Sequence, residues 1–313
     1  MLSGPGPDTT PSAPRTGHAA DCAAGLLEPT GGITWRPALL ADAGFRCRSM
    51  REILAHVAFR GTIRERTVEP YLRLLKSLRY KRRVKGVLLD LSSGGGEAIA
   101  SMDFYLAVKR LNEAKPVYAS IGSVGASGAY MAALGARKIF AYPESDVGSI
   151  GVISAHFAAR DLLRRLGVSL ELLHAGEHKD AYQGYRPLTE VERAKLQAIT
   201  QEGYDVFVQL VAHERHKTVD QVLPLATGEF WTGRRALELG LVDALADREL
   251  ALEELAKLTG VASRRTVRVF PPRSIFDRLI SGPASSLGEG IVGRFRETLE
   301  DAVFEGEWYS LRR

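Results

Sequence analysis

The chain has 313 residues, 45% hydrophobic and 25% charged, with a net charge of +5 at pH 7 and an isoelectric point near 9.2. That balance suits a globular protein with a sizeable core and excludes a low-complexity, collagen-like or strongly charged disordered chain. Basic residues gather in separate clusters at 79–83, 164–165 and 264–268; no continuous stripe indicates a nucleic-acid partner, and the clusters read as solvated faces, with 81–83 alternatively facing anionic lipid or another subunit.

Both cysteines, Cys22 and Cys47, precede the globular part, so neither a disulfide framework nor a metal set is read. The N-terminus shows no charged segment followed by an apolar one, and no run approaches the roughly 18 apolar residues of a spanning helix. The expectation is a cytoplasmic chain, or one held peripherally at a membrane.

Residues 1–50 are rich in Pro, Gly, Ala, Thr and Ser and are expected to form a flexible extension. A core follows over 51–260. It opens with a strand from Ile53 and a helix over 68–78 carrying Leu72, Leu75 and Leu78. The uninterrupted apolar run 86–91 predicts a strand covered on both faces, feeding Ser92-Ser-Gly-Gly-Gly96 and a helix over 97–114 with Ile99, Met102, Leu106 and Leu111 inward. Residues 117–121 predict the next strand, broken by the glycines of 122–125 and followed by a buried, alanine-rich helix. Ser127 sits at that break. Strands over 138–142, 148–153 and 168–173, with a helix over 158–166 between the last two, complete the pattern of an α/β protein with a mainly parallel sheet.

A polar loop over 174–187 ends at Thr189, which with Glu192 predicts a capping box opening a long helix over 190–217. On that helix Leu196, Ile199, Tyr204, Phe207, Leu210 and Val211 are spaced for burial. A short helix opens at Thr232 and stops at Gly240. The remainder, 261–313, is expected to hold a basic linker to Pro272 and an amphipathic helix with Ile291, Phe295, Leu299 and Val303 on one face. That helix packs on the same domain or a neighbouring subunit, or lies on a membrane surface.

A serine between a strand end and a helix start, followed directly by glycine, sits where backbone N–H groups point outward and negative charge is favoured. That is a place to stabilise an oxyanion; the competing reading is that Ser127 only caps the helix. An isolated serine hydroxyl is a poor nucleophile and needs a base within reach. Of the seven histidines, His18 lies in the extension, His213 and His216 at the end of the long helix, and His56 and His156 in or after strands with no acidic partner at an interpretable spacing. His174 and His178 fall on the polar loop; a serine–histidine–acid triad stays open, but nothing points to one. The other available base is lysine, which works only when desolvation lowers its pKa toward neutrality. Lys179 is the lysine of the loops expected at the strand ends, although a loop lysine is ordinarily solvated.

The ordered motifs S-S-G-G-G-E-A-I-A-S (92–101), G-A-S-G-A-Y (125–130), G-S-I-G-V-I (148–153), G-E-H-K-D (176–180) and F-W-T-G-R-R-A-L-E-L-G-L-V-D (230–243) make the chain resemble the signal peptide peptidase A family. These are serine–lysine peptidases on the ClpP/crotonase-like fold, and the resemblance covers residues 53–245. It implies that Ser127 is the nucleophile, Lys179 the general base and Ser149 the serine that hydrogen-bonds and orients the lysine. The N–H groups of Gly96 and Gly128 match the oxyanion hole. It further implies no cofactor, no metal, peptide substrates such as signal peptides or other hydrophobic peptides, and a homo-oligomeric ring whose site is completed between protomers.

Two departures stand out. The usual S-P-G-G turn reads Ser93-Gly94-Gly95-Gly96, so a stiffening proline is replaced by glycine and slower peptide hydrolysis is expected. The membrane anchor common in the family is not seen, which points to a cytoplasmic or peripheral enzyme, with the C-terminal amphipathic segment as a route back to the membrane. Two other readings compete: a crotonase-type acyl-CoA enzyme, which calls for a catalytic Glu or Asp, and a catalytically silent, ring-forming peptide-binding scaffold.

Overall fold

The computed structural model describes residues 51–271. The expectations for the N-terminal extension, for both cysteines and for the helix around Phe295 lie outside these residues.

Strands and helices alternate through β1 (Ile53–Arg60), α1 (Glu65–Tyr80), β2 (Val84–Ser93), α2 (Ala98–Ala114), β3 (Val117–Ala126), α3 (Gly128–Leu134), β4 (Lys138–Ala141) and β5 (Asp146–Gly148). The second half adds α4 (Arg160–Arg165), α5 (Glu190–Glu214), α6 (Val219–Val222), β6 (Phe230–Thr232), α7 (Gly233–Glu238), β7 (Ala244–Leu245), α8 (Arg248–Thr259) and β8 (Thr266–Arg268). In space the strands run β6-β5-β3-β2-β1-β8, with β4 joined to β3 and β7 to β4 off that path. Every pairing is parallel except β5 with β6, as expected where helices carry the chain back between strands.

The uninterrupted apolar runs arise because the central strands are covered on both faces. Val57, Phe59, Leu89, Leu91, Ala119 and Ile121 point into the larger core, shared with α1, α2 and α3. On the same strands and on β4, Leu54, Leu88, Tyr118 and Phe140 point the other way, onto Ala251 and Leu255 of α8. α8 went unread in the sequence because its inward stripe is short: only Ala251 and Leu255 are buried. Gly86 lets it approach, since a Cβ there would stand 3.0 Å from the side chains of Leu255 and Thr259.

Several expectations are corrected. β3 does not end at the glycines; it runs to Ala126, pairing with β4 through Tyr118–Ile121 and then with β5 through Val124–Ala126. The glycines mark where it leaves one neighbour for another. α2 buries Ala100, Ser101, Phe104, Tyr105, Val108 and Leu111, whereas Ile99 is 77% exposed. Residues 149–153 are not a strand, because Ser149 turns the chain at φ 47. No strand forms over 168–173. Only the C-terminal half of α5 packs into the core through Phe207, Val208 and Val211, leaving Ile199 exposed. In the stretch read as a linker, Val261 is buried and Thr266–Arg268 pairs with β1 as an edge strand.

Candidate active site

Ser127 is the single residue between the end of β3 and the start of α3. Its backbone lies at φ 50, ψ −123, a region that costs a non-glycine residue about 1–3 kcal/mol and persists only where surrounding contacts impose it. Those contacts are on both sides. The Ser127 N–H donates to Gly148 O at 2.7 Å, and its carbonyl accepts from Met131 N–H at 2.9 Å. All of α3 is buried, and Tyr130 anchors it by donating its hydroxyl to Leu241 O at 2.8 Å. The Ser127 hydroxyl makes no capping bond. The capping reading therefore fails, and the side chain is left uncommitted on a tightly fixed backbone.

Against this turn lies the glycine loop that follows β2. The Gly95 N–H donates to Ser93 Oγ at 3.1 Å, Ile63 N–H donates to Gly95 O at 2.8 Å, and Glu97 N–H donates to Ile63 O at 2.8 Å. Those last two bonds use the groups on either side of Gly96, so the Gly96 N–H faces the opposite edge. That edge meets Ser127 and Gly128: a Cβ built on Gly128 would be 3.5 Å from Gly96 N, and one built on Gly95 would be 2.7 Å from Gly128 N and 2.8 Å from Ser127 Cβ. Gly96 adopts φ +154, and any side chain on it would run into the Ile63 backbone; one on Gly128 would run into Ser101. Packing against Ile63 on one side and Ser101 on the other thus dictates glycine at both positions.

Ser149 follows the carbonyl that holds Ser127. It adopts φ 47 and is half-buried, with its N–H donating to Glu229 O at 2.8 Å. The fold thus gathers Ser127, Gly96, Gly128 and the Gly148-Ser149 turn. Lys179 is different: it is exposed on the turn-rich stretch after α4 and makes no side-chain hydrogen bond or ion pair among the described residues. No described contact joins it to Ser127 or Ser149 within one chain.

Sequence reasoning missed the residues that hold the Lys179 loop. Arg186 donates from Nε and Nη2 to both Asp180 oxygens at 2.9 and 3.0 Å, and from Nη1 and Nη2 to both Glu192 oxygens at 2.9 and 2.8 Å. Tyr185 adds a hydrogen bond to Asp180 at 2.6 Å. Hydrogen bonds from Arg186 hold the carboxyl of Asp180 well below the usual range and lower that of Glu192 to about 2. The expected capping box of Thr189 and Glu192 is present, but its glutamate serves two partners.

Histidine chemistry is also corrected. His56 does have an acidic partner, Asp90, at 3.2 Å across adjacent strands. Arg60 and Arg248 share the same carboxylate at 2.7 and 3.2 Å. His156 faces Arg186 O at 2.8 Å, and His178 lies 3.7 Å from Glu192. No hydrogen bond among the described residues joins a histidine to a serine hydroxyl. Among them, too, no group of three or more His, Cys, Asp or Glu could hold a metal ion, and no helix is long and apolar enough to cross a membrane.

Residues 109–262 match the model of peptidase family S49. A putative protease of Synechocystis is 34% identical over 75% of this chain and 85% of its own length. A putative protease of Methanocaldococcus jannaschii is 38% identical over 63% of each chain. A putative signal peptide peptidase SppA of Enterococcus faecium is 35% identical over 60% of this chain and 55% of its own. The chain thus spans less than two thirds of the length of the last two. Among solved structures, a ClpP1 variant from Listeria monocytogenes aligns with a TM-score of 0.43 at 14% identity, over 63% of this chain and 93% of its own.

Proposed function

Because this chain belongs to peptidase family S49, we propose that it is a serine endopeptidase that cleaves hydrophobic peptides, signal peptides among them, through an acyl-enzyme on Ser127. The observation that carries this reading is the uncommitted Ser127 hydroxyl on a turn at φ 50, beside the backbone nitrogens of Gly96 and Gly128.

In the reaction, Lys179 as a neutral amine takes the Ser127 proton while Oγ attacks the scissile carbonyl. The Gly96 and Gly128 N–H groups receive the developing oxyanion, a contribution typically worth 100-fold or more per donor. Collapse breaks the C–N bond, and the leaving amine departs with the proton that Lys179 had taken. Water, deprotonated by the same amine, then hydrolyses the ester and restores the serine. Ser149 orients the amine by hydrogen bonding to it.

Within one chain the amine is exposed and has no described partner, so the dyad forms between protomers of a ring. In support, the segments on either side of α4 carry Ile153, Phe157, Leu166 and Leu173 at 76, 72, 67 and 91% exposure, apolar side chains of the kind that another subunit covers. Burial there supplies the desolvation that a lysine base needs. The enzyme is cytoplasmic or held peripherally at a membrane.

The test is cleavage of detergent-solubilised signal peptides together with labelling by a serine-directed fluorophosphonate. Ser127→Ala abolishes both, and Lys179→Ala abolishes turnover. Turnover by Ser127→Ala equal to the unaltered chain sinks the reading, and tight acyl-CoA binding without peptide cleavage redirects it to the crotonase-type chemistry.

A further inference from the structure

A lysine acts as a base only while it is unprotonated, and a carboxylate within reach keeps it charged. The titratable groups on the Lys179 loop are His174, Glu177, His178, Asp180, Tyr182, Tyr185 and Arg186, and Glu192 from the first turn of α5 is tied to it through Arg186. Two of those carboxylates are largely withdrawn from solvent, Asp180 at 8% and Glu192 at 3% exposure. Asp180 is the direct neighbour of Lys179 in the chain, yet the two form no ion pair. Arg186 occupies both carboxylates at once, with Nε and Nη2 on one and Nη1 and Nη2 on the other. A planar guanidinium can grip two carboxylates in this way; a lysine ammonium, a point charge without a fork, cannot.

We infer that Arg186 is a positioning residue for the proposed base: it sequesters Asp180 and Glu192 in one clamp, so that neither pairs with Lys179, and it ties the Lys179 loop to the start of α5. The inference rests on Lys179 being the base. The clamp is reinforced from both ends. Tyr185 donates to Asp180, and the Thr189 N–H donates to Glu192 Oε2 at 2.8 Å, so each carboxylate is turned toward the clamp by a second bond. The Arg186 Nη1 also reaches Pro187 O at 3.0 Å, and the Arg186 carbonyl faces His156 at 2.8 Å. Arg186 therefore gathers the loop, the first turn of α5 and the strip leading to α4 around one side chain.

The experiment measures kcat, KM and the acidic limb of kcat/KM against pH with a fluorogenic signal-peptide substrate, using the full chain in its native assembly. Lys179→Ala, run alongside, is inactive. Arg186→Ala lowers kcat about 100-fold with KM changed less than about threefold. It also moves the acidic limb up by about one pH unit, because two freed carboxylates favour the ammonium form of Lys179. Arg186→Lys keeps the charge, so the limb returns toward its original position, but kcat recovers only in part because one ammonium cannot span both acids.

If Lys179→Ala retains activity, the base assignment fails whatever Arg186 does. If Lys179→Ala is inactive while Arg186→Ala leaves the limb in place, with assembly mass and melting unchanged, the clamp is overturned and the base assignment stands. Should Arg186→Ala not fold, Asp180→Asn decides instead: a carboxylate already held by the guanidinium contributes little at Lys179, so the limb stays within about 0.3 pH unit, whereas a limb that moves down by about one unit shows that Asp180 had been pairing with Lys179 and overturns the clamp.

Discussion

The amide of Ser127 donates to the carbonyl of Gly148 at 2.7 Å, so the turn that presents one serine is tied to the turn that presents another, Ser149. Both serines have positive φ, 50 and 47. Neither conformation is one an isolated L-residue prefers, and each turn holds the other in place. The strain locates the proposed nucleophile at a stability cost, and that cost can be measured.

Replacing Ser127 with glycine removes the strain along with the hydroxyl. Ser127→Gly is expected to be inactive yet more stable than Ser127→Ala by about 1 kcal/mol, a rise in melting temperature of roughly 2–4 °C for a core of this size. Calorimetry on the two variants checks it; equal melting temperatures would mean that the turn carries no strain.

Gly128 and Ser101 make a second measurable pair. Gly128→Ala drives its Cβ into the Ser101 side chain, an overpacking expected to cost about 1–3 kcal/mol. Adding Ser101→Gly opens the space, so the double variant recovers a large share of that loss and the two changes are non-additive. A denaturant-based double-mutant cycle reads the coupling, and simple additivity contradicts it.

Should the dyad form between protomers, two inactive chains will rescue each other. Co-assembled Ser127→Ala and Lys179→Ala are expected to regain about a quarter of normal activity from randomly mixed neighbours in a closed ring. Mixed assemblies verified by mass that stay inactive place both groups in one chain instead.

Asp90 is predicted to govern acid stability. Burial alone would raise its carboxyl, but hydrogen bonds from His56, Arg60 and Arg248 and the charge of Arg60 outweigh burial and hold it below the usual range. A depressed folded value means that the stabilisation is complete above the unfolded value of about 3.9 and fades as pH falls below it. Asp90→Asn is therefore expected to be about 2 kcal/mol less stable at pH 7, with the gap to the unaltered chain narrowing below about pH 4. Urea midpoints at the two pH values decide, and a gap that widens in acid refutes the assignment.

Gly94 occupies the place of the family proline and, unlike Gly95 and Gly96, is not at positive φ. A left-handed backbone therefore does not bar proline there, and Gly94→Pro is expected to stabilise the chain by about 0.4–1 kcal/mol and to raise kcat by stiffening the oxyanion donors. A folded Gly94→Pro enzyme with lower kcat shows that the loop's freedom is used in turnover.

The sequence by itself determined the alternation of strands and helices, because covered strands need unbroken apolar runs such as 86–91 and helices need caps such as Thr189 with Glu192. It determined the glycines too, since only residues without side chains allow the backbone of the 95–96 loop to reach Ser127. Tertiary structure decided the rest. That β3 runs on through its glycines depends on a change of partner from β4 to β5, and no local pattern records which strand lies alongside. That His56 meets Asp90, and that one arginine grips Asp180 and Glu192 together, depends on side chains converging from separate elements. Lys179 marks the limit of a single chain: the proposal that it pairs with Ser127 rests on resemblance alone, because the neighbour proposed to desolvate its amine is another copy of the fold.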